Sequence, residues 1–128
     1  MTHPTLKPTA SELEILQVLW TRGPSTVREV YEVLSEKRDM GYTSVLKLMQ
    51  IMTEKGSVRR NETQRAHVYE VCQPAEKTKR GLAADVLQRV FDGSASELMM
   101  HALAGHRASK EEIAELRRLL SEYERKQS

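Results

Sequence analysis

At 128 residues, with 39% hydrophobic and 30% charged side chains and a formal net charge of +2, the chain suits one compact unit or two small ones. No apolar run approaches the roughly 18 residues that a membrane span needs, and Met1 to Lys7 lacks the layout of a signal peptide, so no membrane insertion and a cytoplasmic location are expected. The single cysteine, Cys72, excludes an internal disulfide and is expected to be a small buried strand residue.

Residues 1–8 carry Pro4 and Pro8 and read as a loose arm. Thr9-Ala10-Ser11-Glu12 then fits a capping box, in which a hydroxyl and a carboxylate satisfy free N–H groups at a helix start. The first helix runs to about Thr21, with Leu13, Leu16 and Trp20 on one face and Ile15 and Leu19 beside them, and Gly23-Pro24 stops it. A second box, Thr26-Val27-Arg28-Glu29, opens a second helix in which Val27, Val30, Tyr31 and Leu34 recur at helical spacing. After a polar turn from Lys37 to Gly41, a third helix is predicted from about Thr43 to Lys55. Val45, Leu48, Met49 and Met52 form its apolar stripe, Thr43, Lys47, Gln50 and Glu54 cluster opposite, and Leu46 and Ile51 flank the polar side. Gly56 is the expected stop. Ser57 to Arg60, a polar tip over Asn61 to Arg65, and the alternating run Ala66 to Val71 read as a β-hairpin; the run places Ala66, Val68 and Glu70 on one side and His67, Tyr69 and Val71 on the other.

Beyond Pro74 the pattern is wholly helical. A fourth helix over about Ala75 to Phe91 carries Leu82, Val86 and Val90 one turn apart, and Asp92-Gly93 ends it. Ser94 to Glu97 offers caps for a short fifth helix to about Ala104. Ser109 to Glu112 opens a sixth, whose Ile113, Leu116, Leu119, Leu120 and Tyr123 make an apolar seam. The fold class expected is mainly α with a small β-hairpin: a winged helix-turn-helix over residues 1–73 and a helical dimerisation region over 74–128.

The order helix, helix, helix, strand, wing, strand points to DNA binding, because the third helix of such a unit enters the major groove and its outer face must be polar. Thr43, Ser44, Lys47 and Gln50 meet that demand, with Leu46 placed to touch a thymine methyl. Between Gly41 and Gln73 a small basic excess falls on this helix and the hairpin. Lys47, Lys55, Arg59, Arg60 and Arg65 are therefore the expected phosphate contacts, which position a protein without carrying sequence information. The C-terminal helices have too little bulk for a large core of their own. Leu98 and the seam of the sixth helix are expected to pair with a second copy, which would set two recognition helices on a double-stranded operator with an inverted repeat. The alternatives are a seam folded back on its own chain and a winged helix that binds only proteins. No His-Glu-x-x-His, glycine-rich phosphate loop or nucleophile elbow is present, so no enzyme is expected. His101 and His106 are five apart rather than four, and neither Glu97 nor His3 completes a ligand set, so no metal or other cofactor is expected.

Ser11-Glu12-Leu13-Glu14-Ile15-Leu16 with Leu19-Trp20, Gly41-Tyr42-Thr43-Ser44-Val45 followed by Thr53-Glu54-Lys55-Gly56, Tyr69, and the run from Glu111 to Leu120 together resemble the penicillinase-repressor family. These are the winged-helix repressors of β-lactamase and methicillin-resistance operons, with copper-responsive relatives. The resemblance covers nearly the whole chain and implies dimers on inverted repeats, often TACA/TGTA-like, with Thr43 and Ser44 at base edges and Lys47 near the backbone. Leu46 stands where the best-known members carry arginine. In the β-lactam branch a membrane metalloprotease sensor triggers cleavage of the repressor; the corresponding bond falls at His101–Ala102, where the Asn–Phe pair of known members is absent. The cysteines of the copper branch are missing from Ser121 to Ser128.

Overall fold

The computed structural model describes residues 7–127. The expected arm lies outside them except for Lys7 and Pro8, and so does His3. Nine elements follow in order: α1 Ala10–Arg22, β1 Ser25–Thr26, α2 Val27–Ser35, α3 Tyr42–Lys55, β2 Val58–Asn61, β3 Val68–Val71, α4 Ala75–Arg89, α5 Ala95–Ala104 and α6 Lys110–Gln127. They divide into two compact units between Leu82 and Ala83, inside α4, whereas the change in sequence character lies at Pro74.

In the N-terminal unit both capping boxes form. The Thr9 hydroxyl accepts from Glu12 N–H (3.2 Å) while the Glu12 carboxylate accepts from Thr9 N–H (3.1 Å). Thr26 and Glu29 repeat the exchange at α2, at 3.2 and 2.8 Å. The backbone N–H of Thr26 is the largest influence on the Glu29 carboxyl and holds it below its ordinary range; partial burial opposes it, and the charge of Arg22 adds to the lowering. Each box fixes where its helix begins, and therefore which face its apolar residues present.

Ile15, Leu16 and Leu19 of α1, Val30 and Leu34 of α2, and Val45, Met49 and Met52 of α3 meet Val58 and Tyr69 in one core. Each such side chain contributes about 1.5–3 kcal/mol by leaving water. Leu48, expected in the stripe of α3, packs only partly against this core. Gly56 closes α3 at φ 83°, its N–H reaching the carbonyls of Met52 and Thr53. A Cβ added there would meet no atom within 4 Å. The penalty for Gly56→Ala is therefore one of backbone alone, and a loss of about 1–2 kcal/mol in urea unfolding is expected.

The sheet is three-stranded and antiparallel in the order β1-β3-β2. The hairpin pairs Val58 with Val71 and Asn61 with Val68. The third strand, β1, was not legible as one: it sets Ser25 opposite Tyr69 and Thr26 opposite Val68, and buries Ser25 completely. Three sequence expectations are corrected. The second hairpin strand starts at Val68, so Ala66 and His67 belong to an exposed tip. Cys72 is exposed rather than buried: it shares the parity of Val68 and Glu70, away from buried Tyr69, and lies past the end of the ladder. Finally, α4 ends at Arg89 and not Phe91.

In the C-terminal unit, Asp92 (φ 49°) and Gly93 (φ 82°) turn the chain between α4 and α5. The Phe91 ring lies beside that of His101, with centroids 5.6 Å apart. Ser94 caps α5 through Glu97 N–H, and Ser109 caps α6 through Glu112 N–H, while the Glu112 carboxylate lies 2.9 Å from His106 Nε2. None of α4, α5 or α6 holds a buried residue.

Candidate nucleic-acid interface

Helix α3 is split along its length by the core it packs against. Val45, Met49 and Met52 are fully buried. Thr43, Ser44, Lys47 and Gln50 are all exposed, together with Ile51 and Glu54. At about 100° per residue these six fall within one arc of about 120°. Leu46 lies outside that arc: it packs partly on the core and lines an open cleft between the start of α2, α3 and the hairpin.

The basic residues divide by their partners. Lys47 and Arg65 are exposed and form no ion pair among the described residues. Arg59 Nε donates to Glu70 at 2.7 Å, and that bond and charge hold its guanidinium above its ordinary value. Arg60 Nε donates to Glu62 at 3.0 Å; hydrogen bonds to Tyr69 and Glu62 raise it likewise. Both remain at the surface, where such pairs contribute little and exchange readily for phosphate. Lys55 is paired more deeply than either. Its ammonium turns to Glu12, with Nζ 2.7 Å from Oε1 and the carboxylate side chain only 4% exposed.

Three residues of this surface were missed by sequence reasoning. Arg28, Tyr42 and His67 line the same cleft as Leu46 and Arg65. Arg28 stands in the first turn of α2 with its guanidinium 5.4 Å from the centre of the Tyr42 ring, and Tyr31 meets Tyr42 edge-on at 5.7 Å. A cation at a helix N-terminus, where free N–H groups already favour anions, was the available signal for Arg28. Tyr42 carried none, because its place depends on how α2 and α3 cross.

The residues named for pairing lie in the C-terminal unit. Ile113, Leu119, Leu120 and Tyr123 are exposed at 41, 48, 66 and 63%, and Leu98 and Leu116 are half-buried. Met99, Met100 and Leu103 of α5 add to the exposed apolar surface. His101 and Ala102 are exposed on α5, inside the helix rather than in a loop.

Three helices on a small antiparallel sheet, with a two-stranded wing beside a helix whose outer face is polar, define a winged helix-turn-helix DNA-binding protein. Comparison with known proteins narrows the class. Residues 8–122 match the penicillinase repressor family, and the chain belongs to it. It is 35% identical over 115 residues to the transcriptional regulator BlaI of Mycobacterium tuberculosis, covering 88% of this chain and 82% of that protein. It is 23% identical over 113 residues to the penicillinase repressor of Bacillus licheniformis, with 88% of each covered. Against the methicillin resistance regulatory protein MecI of Staphylococcus aureus the identity is 19% over 121 residues, covering 94% of this chain and 98% of that one. The family is one of transcriptional repressors, which are not enzymes. Among the described residues no helix is long and apolar enough to cross a membrane.

Proposed function

We propose that two copies of this chain, joined through α5 and α6, place their α3 helices on the two halves of an inverted repeat in duplex DNA and thereby block transcription. The observation that carries the DNA reading is the division of α3. Val45, Met49 and Met52 are buried without remainder, while Thr43, Ser44, Lys47 and Gln50 stay in solvent. A helix anchored in this way has only its exposed, mostly hydrophilic side to offer a groove. Thr43 and Ser44 in the first turn are positioned for base edges, and Lys47, Arg59, Arg60 and Arg65 for phosphates, joined by Arg28. The pairing reading is supported by the exposed apolar side chains of α5 and α6, in helices without a single buried residue.

Release by a membrane metalloprotease sensor is the form of induction this reading favours. A cut at His101–Ala102 would detach Leu103 and all of α6 from the DNA-binding unit. The bond lies in the last turn of α5, and the segment 105–109 that follows is not helical, so local fraying can present it in extended form. Incubation with the activated sensor, followed by mass spectrometry, is expected to give two fragments divided at that bond. An intact chain after induction would remove this part of the proposal.

The central test is a salt titration of operator binding. Specific affinity should fall steeply with salt, because phosphate contacts release counterions. Lys47→Ala should weaken binding to most sequences alike and reduce the magnitude of the logarithmic salt slope by about 1.8, the contribution of one phosphate for each of the two copies. Ser44→Ala should instead change base preference. An affinity that ignores both salt and Lys47 would refute the assigned helix face.

A further inference from the structure

Within the N-terminal unit the large apolar side chains are buried or half-buried, with two exceptions among the described residues: Tyr42, 40% exposed, and Ile51, 36% exposed. Both lie on α3. Tyr42 is accounted for by its contacts with Arg28 and Tyr31. Ile51 is not. It stands within the exposed arc, between Lys47 and Ser44 in angle, one turn beyond Lys47 and two turns beyond Ser44. Leu46, the apolar residue the sequence offers for base contact, is turned toward the core and the cleft at the wing.

We infer that Ile51 is a specificity-determining residue, which reads the 5-methyl group of a thymine in the major groove. The inference rests on the DNA-binding role proposed above. The chemistry follows from the side chain. Isoleucine offers no hydrogen bond to a base edge and no charge to a phosphate. The thymine methyl is the one apolar group that the major groove displays. Ser44, Lys47 and Ile51 form a row at positions i, i+3 and i+7, which spans about 10 Å at 1.5 Å per residue. Three base steps of about 3.4 Å cover the same length. The methyl that Ile51 meets therefore lies within about three base pairs of the base that Ser44 addresses. The row ends there, since Glu54 follows on the same face with a charge that repels phosphate.

The test replaces thymines with deoxyuridine, which removes the methyl and leaves pairing intact. An operator is first selected from random-sequence duplexes with the full-length dimer, and each thymine is then exchanged in turn. The wild type is expected to lose about fourfold in affinity at one thymine of a half-site and about fifteenfold when both halves are changed, the ratio that burying one methyl carbon gives. Ile51→Ala should bind the thymine and deoxyuridine duplexes equally, Ile51→Val should keep part of the difference, and Leu46→Ala should keep all of it. The thermal unfolding midpoint of each variant shows that it is folded. Should Ile51→Ala retain the wild-type methyl preference while binding DNA with normal salt dependence, the inference fails and the repressor reading stands. The same holds if the wild type ignores every methyl. If no sequence is selected at all, the DNA-binding reading fails and takes this one with it.

Discussion

Replacing Leu120 and Tyr123 together with glutamate is expected to leave a monomer whose operator affinity is lower by about two to four orders of magnitude, the gain that joining two binding units gives. The two side chains are three residues apart on α6 and 66 and 63% exposed in the single chain. Both side chains are mostly in solvent within the chain, so its helical circular dichroism and its affinity for an isolated half-site should hold. What changes is the surface offered to a second copy, where two buried carboxylates per chain would face their symmetry mates without partners. Sedimentation velocity and titration of full and half operators separate these effects. A variant that remains dimeric would move the pairing surface off α6, and one that becomes monomeric yet binds the full operator as before would remove dimerisation from the mechanism.

How much of this was written in the sequence depends on the range of the interaction. The helix starts were legible because Thr9 and Glu12, and Thr26 and Glu29, act across three residues. The stop at Gly56 was legible for the same reason, a left-handed residue tied to the turn before it. The exposure of Thr43, Ser44, Lys47 and Gln50 followed from the period of the stripe opposite them. Pairing between distant residues left no such trace. The two-residue strand β1 exists only because Tyr69 and Val68 are brought beside Ser25 and Thr26. Cys72 looked like a core residue by type, but its side of the sheet was set by the parity of buried Tyr69. Tyr42 entered the candidate interface only because α2 and α3 cross to put it beneath Arg28.

Lys55 marks the sharpest difference between sequence and structure, and it leads to the second large effect. As a basic residue at the end of α3 it reads as a phosphate contact. Its ammonium instead sits 2.7 Å from the Glu12 carboxylate, with the two side chains only 19 and 4% exposed. Glu12 is held there by its own role in capping α1, so it cannot withdraw when its partner is removed. Lys55→Ala is expected to cost about 3–5 kcal/mol of unfolding free energy, since it strands a buried charge. Glu12→Gln with Lys55→Met should recover much of that, because the amide can still accept from Thr9 N–H and neither side chain is then charged. Urea unfolding at neutral pH measures both. DNA binding provides the discriminating readout: the folded double variant should keep the operator affinity and salt slope of the parent, whereas a phosphate-binding Lys55 would lower both. Should Lys55→Ala prove as stable as the parent but weaker on DNA, the lysine belongs to the groove after all, and α1 and α3 are held together by their apolar contacts alone.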